Sequence, residues 1–150
     1  MIAFVIPPDH VWQHFSDSDK LGSHFFAKSP SELLTVAATE FSHLFRDAKP
    51  DPVDGRMRLS FHFDYEIGLC NVVALSELTS EELATIAEEE RDGVMVKTAR
   101  SSRTFPTREF QLILSSDNTV ITMFPGPMAP PLPKSGESSD FWDNHVFIKL

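Results

Sequence analysis

Residues 57–66 read MRLSFHFDYE, and Met57, Leu59, Phe61, Phe63 and Tyr65 alternate there with Arg58, Ser60, His62, Asp64 and Glu66. A period of two sends successive side chains to opposite faces of a strand. One face of this strand is therefore apolar and the other wet, which suits an antiparallel sheet with one side against a core. Asp54-Gly55 supplies the turn that leads into it. The inner face is predicted to be Leu59, Phe61 and Phe63.

Upstream, Ser29-Pro30-Ser31-Glu32 places a capping Ser, a Pro at the first helical position and a Glu three residues past the cap. Leu33, Leu34, Ala37, Phe41, Leu44 and Phe45 follow at spacings of three and four, which predicts one helix with a single apolar stripe. Lys49-Pro50 stops it, because a residue before Pro is pushed out of the helical region. Earlier still, Pro7-Pro8-Asp9 opens a short helix carrying Val11, Trp12 and Phe15.

Downstream, Leu69–Leu75 predicts a second, more buried strand. Thr79-Ser80-Glu81-Glu82 is a capping box, predicted to open a helix through Leu83, Ile86 and Ala87 that ends near Arg91-Asp92-Gly93. Glu88, Glu89 and Glu90 then form a solvated helix end. Strands are predicted at Val94–Thr98, Glu109–Leu114 and Thr119–Phe124, the last two joined by the turn Ser115-Ser116-Asp117-Asn118. Residues 125–139 contain five Pro and predict an extended tail outside any sheet interior. Phe141, Trp142, Val146, Phe147 and Ile148 are too apolar to stay in water. Trp142 is expected to be buried, with Val146–Ile148 as an edge strand or docked segment, on the body or on a second copy. This order predicts a single α+β domain over residues 1–150: a mainly antiparallel sheet of four to six strands, with the N-terminal helices packed on one face.

Composition narrows the function classes. An apolar content of 41% with 13 Phe excludes a disordered chain. A lone Cys70, read as a small buried hydrophobe, allows neither an internal disulfide nor a Cys-based metal cage. No apolar run approaches the roughly 20 residues of a membrane helix. The opening MIAFVIPPDH lacks the basic flank and cleavage site of a signal peptide, so a cytoplasmic protein is expected. A net charge of −9 argues against DNA as a partner. No GxGxxG, P-loop or nucleophile-elbow pattern occurs, and no cofactor is expected.

Charge segregation is the feature most suggestive of chemistry. Residues 77–90 carry six acids and no base, whereas residues 97–108 carry Lys97, Arg100, Arg103 and Arg108 and no acid. One reading pairs the two segments, within the fold or across a dimer. The other makes the basic island an anion site, since Arg forks match phosphate oxygens. His10 and His14 stand four apart, but no third ligand accompanies them and no metal site is expected. His24 lies in a loop-like context beside Lys28, His43 borders the helix stripe, and His62 falls on the polar strand face.

Thr107-Arg108, the strand through Leu114, and Val120-Ile121-Thr122-Met123-Phe124-Pro125 together resemble the C-terminal hairpin of small bacterial toxin ribonucleases, the barnase, EndoU, colicin E5 and RelE-like group. The resemblance covers about 20 residues within Thr104–Gly126. It implies metal-independent RNA cleavage, which needs a base, an acid and cations around the phosphate. His24 or His62 would move protons, with Arg108 and Thr122 at the catalytic centre. Lys97, Arg100, Arg103 and Thr107 would hold the phosphate. The alternative is a non-enzymatic protein-interaction module, immunity-like or structural, whose acidic surface covers a basic partner.

Overall fold

The computed structural model describes residues 3–8, 11–15, 24–91, 93–128 and 139–149. In chain order the elements are a 3-10 turn at Val11–His14, β1 (His24–Phe25), α1 (Pro30–Glu40), α2 (Ser42–Asp47) and β2 (Met57–His62). They continue with β3 (Gly68–Leu69), β4 (Val72–Ala74), α3 (Ser80–Leu83), β5 (Ala87–Arg91) and β6 (Val94–Arg100). The remainder are β7 (Pro106–Thr107), β8 (Glu109–Leu114), β9 (Val120–Pro125), α4 (Asp140–Asp143) and β10 (His145–Lys149). The class is α+β with mainly antiparallel pairing, as expected. The strands are shared among three sheets of orders β1-β3-β7, β2-β8-β9 and β4-β10-β6-β5, instead of one sheet of four to six. The chain forms two compact units: residues 1–69 with 106–127, and residues 70–105 with 128–150.

The first unit is built on the alternating strand. Leu59, Phe61 and Phe63 are buried, Arg58 and His62 are exposed, and the predicted register holds. β2 pairs with β8 so that Phe61 faces Phe110 and Leu59 faces Leu112. The strand ends at His62, short of the alternation that runs to Glu66, and Tyr65 beyond it is 44% exposed. Ser29 caps α1 as expected, accepting the Glu32 N–H at 3.2 Å, and Leu33, Leu34 and Ala37 bury against the sheet residues. The expected single helix breaks at Phe41, whose ring lies 5.4 Å from Phe61 and 5.0 Å from Phe63. Gly68 joins β3 to β1 at a separation only glycine tolerates, since a Cβ there would sit 2.5 Å from the His24 carbonyl oxygen.

The second unit corrects several expectations. Leu69–Leu75 is not one strand, because the chain leaves β3, bends, and re-enters a different sheet as β4. The Thr79 capping box forms, with Thr79 N donating to Glu82 Oε1 at 2.9 Å, yet α3 ends at Leu83. Ala87–Arg91 is then a strand, not a solvated helix end, because it pairs antiparallel with the β-rich Val94–Arg100. β10 is no edge strand: it lies between β4, antiparallel, and β6, parallel, with Val146 fully buried. Trp142 is half-buried and stacks on Phe147 at 5.0 Å. Cys70 is half-buried too, its Sγ 3.6 Å from the Phe105 carbonyl. Among the five prolines placed outside the sheets, Pro125 ends β9 opposite Phe110, tolerated because β9 is an edge strand. Pro130, Pro131 and Pro133 lie outside the described residues.

Replacing Phe61 by Ala should cost about 3–5 kcal/mol in chemical denaturation, as expected for a buried Phe. Tyr65→Ala, beyond the strand end, should cost under about 1 kcal/mol. Similar losses at both positions would place the inner face wrongly.

Candidate functional site

The Arg103 guanidinium belongs to a closed network in the second unit. Its Nε donates to Glu82 Oε2 at 2.9 Å and its Nη2 to Glu82 Oε1 at 2.8 Å. The same Nη2 reaches the Glu77 carbonyl at 2.7 Å, and the guanidinium lies 4.3 Å from the centre of the Phe105 ring. Ser101 Oγ also donates to Glu82 Oε2. The Glu82 carboxylate, nearly buried, thus accepts from Arg103, Ser101 and the Thr79 backbone, and these bonds hold its pKa well below the usual 4.5. Glu82 in turn raises the Arg103 pKa through the shared hydrogen bonds. Arg103, one member of the basic island, is therefore paired with the acidic segment.

The other candidates are placed separately. Arg100 is exposed, and its backbone N–H donates to Thr85 Oγ1 at 2.7 Å. Lys97 is half-buried on β6 opposite Glu88 of β5. These two and Arg103 belong to the second unit, whereas His24, His62, Thr107, Arg108 and Thr122 belong to the first.

Within the first unit the pleat decides which residues meet. His62 and Glu109 are cross-strand partners, with His62 Nε2 3.8 Å from Glu109 Oε1 and the His62 side chain 71% exposed. Thr122 shares that outer face, but in the row of Ile113 and Arg58, two rows from His62 and so about 13 Å along the strands. Arg108 follows the register opposite Phe63, since the Phe63 N–H donates to its carbonyl at 2.9 Å, and alternation turns it from the His62 face. Arg108 is exposed, and its side chain makes no hydrogen bond or ion pair among the described residues. The Thr107 hydroxyl accepts the Glu109 N–H at 3.1 Å. His24 is half-buried in β1, its ring edge-on to Phe26 at 6.4 Å. His62 thus has a carboxylate neighbour but shares no phosphate-sized space with Thr122. The His10–His14 pair lies outside the described side chains, and no three-ligand metal cluster occurs among those described.

Two features were missed in the sequence. Gln111 is fully buried on the polar side of β8, its Nε2 donating to Glu109 Oε1 at 2.9 Å and to the Gly126 carbonyl at 3.1 Å, while Ser60 Oγ donates to its Oε1. A groove of about 730 Å³ also opens in the first unit. Met57, Leu59 and Leu114 line it from the sheet, and Ala38, Ser42 and Arg46 from α1 and α2. Its only trace in the sequence is the run of short side chains on α1 beside the apolar stripe.

Comparison with protein-family models, with curated proteins and with solved structures gave no match. No helix among the described residues is long and apolar enough to cross a membrane.

The Glu82 network sets a pH dependence. Its folded pKa is depressed, so the stabilisation is fully present above the ordinary 4.5 and is lost as pH falls through the folded value. Glu82→Gln should therefore be less stable than the parent at pH 7, with the difference shrinking below pH 4.5. Denaturant midpoints across that range check it, and a difference independent of pH would remove the charge from the account.

Proposed function

We propose that this chain is a non-enzymatic protein-interaction module that takes a basic, extended segment of a partner along β5. The observation that carries the reading is the character of that strand. β5 pairs with β6 on one side and with no strand on the other among the described residues, so it offers a row of backbone donors and acceptors. Glu88 and Glu90 are exposed on the face they share with Lys97 and Met95, and Met95 is 56% exposed. An apolar contact beside carboxylates suits a strand alternating cationic and apolar residues. A second copy of this chain fits poorly, because pairing β5 with itself would set glutamates against glutamates.

The ribonuclease reading draws its support from the exposed His62–Glu109 pair and the unengaged Arg108. It is the weaker one, because Arg103 is tied to Glu82, the pleat turns Arg108 from the His62 face, and Thr122 lies two rows from His62 along the strands.

A synthetic peptide alternating Lys and Val should shift the amide resonances of Glu88–Glu90 and bind more weakly as salt rises. Charge reversal at Glu88 and Glu90 should weaken it at least tenfold, while an alternating Glu–Val peptide should not bind. Equal binding of both peptides, or shifts confined to other strands, would overturn the proposal. Cleavage of total RNA by the parent but not by Arg108→Ala would return the ribonuclease reading instead.

A further inference from the structure

We propose that the groove of the first unit binds a small amphipathic carboxylic acid, its apolar body on the sheet and its carboxylate at Arg46. This goes beyond the reading for β5 and does not depend on it.

The volume comes first. Native interiors seldom leave voids larger than a water molecule, whereas small-molecule sites span roughly 300–1,000 Å³. At about 730 Å³, open on one side, the groove belongs with the second group. Its cause is local. Leu33, Leu34 and Ala37 turn into the core, and the side chains of α1 that overhang the groove are the short ones of Thr35, Ala38 and Thr39. They are too short to cover Met57, which stays half-buried at the start of β2. Phe4 and Phe45 form an aromatic wall, their rings edge to face at 5.6 Å. An apolar body placed there is taken out of water against surfaces already held in place.

The polar groups select the head group. Among the described residues of the lining Arg46 alone is charged and none is acidic, although the chain as a whole carries −9. Ser42 stands four residues before Arg46 on α2, so the two share one helix face. Neither the Ser42 hydroxyl nor the Asn118 side-chain amide has a hydrogen-bond partner among the described residues. The Arg46 guanidinium touches Asp47 at 3.4 Å, with the two side chains 74% and 70% exposed, an open pair that a ligand can displace. One fork and one hydroxyl on a common face match a monocarboxylate. A phosphate or diphosphate would call for more than one cation.

Octanoate and 1-octanol, equal in chain length and different in charge, separate the two halves of the proposal. Octanoate is expected to bind at sub-millimolar concentration and to shift the amides of Ala38, Phe45, Leu59 and Leu114. Octanol should bind at least tenfold more weakly. Arg46→Gln should weaken octanoate about tenfold and leave octanol unchanged. Ala38→Phe, which fills the groove, should abolish both; if it fails to fold, Thr39→Met on the exposed helix face is the second variant. Octanol binding as tightly as octanoate, an Arg46→Gln variant indistinguishable from the parent, or shifts at residues outside the groove would each overturn it. So would the absence of saturable shifts.

Discussion

Phe61 and Phe110 face each other across β2 and β8 with their ring centres 5.0 Å apart, and both are fully buried. Phe25 reaches Phe110 from β1 at 5.2 Å, Phe45 stacks on Phe61 from α2 at 5.4 Å, and Phe15 extends the chain of rings to Phe25 at 4.9 Å. Each such contact adds about 0.5–1.5 kcal/mol beyond the area it buries. The larger effect is geometric. A one-residue slip of β2 would turn Phe61 to water and bring His62 inward, and every element docked on that ring would lose its seat. The groove depends on the same register, because Met57 and Leu59 reach its floor only when Phe61 faces the core.

Polar groups follow a simpler rule: where they are buried, they are matched. No buried side-chain nitrogen or oxygen lacks a partner among the described residues. Gln111 and Glu82, both buried, reach this by different means. Gln111 shares its amide among Ser60, Glu109 and Gly126, whereas Glu82 gathers donors from the α3 cap, Ser101 and Arg103. Both arrangements hold neighbouring segments together through hydrogen bonds that strengthen one another away from water.

What the sequence made legible divides along physical lines. Period-two alternation at Met57–Phe63 and the Ser29 and Thr79 caps are local signals, and each formed where expected. Ala87–Arg91 misled because Glu is a good helix former and the capping box lies just before it. The pairing with β6 outweighed both, and the Asp92-Gly93 step before the β-branched residues of Val94–Thr98 was the hairpin signal that the helix reading overrode. The interior position of β10 was hidden for a related reason, since an apolar triplet shows that a segment is buried but not on how many sides. At the candidate site the segregation of acids and bases was readable, and one of its two readings, internal pairing, describes Arg103. The groove was not readable, because it consists of the space that short side chains leave.

The order of strands in the second unit bears on synthesis. β10 sits between β4 and β6, and both of its neighbours leave the ribosome before it does. Until β10 emerges, a nascent chain holds a β5–β6 hairpin and an isolated β4, each with an unpaired inner edge, and Val73 and Ala99 lack the Val146 side that covers them. Contacts of such long sequence separation form slowly. Translation pauses before residue 145 would therefore prolong the interval in which those edges recruit a neighbouring chain on the same messenger, and the yield of native protein would depend on elongation rate as well as on stability.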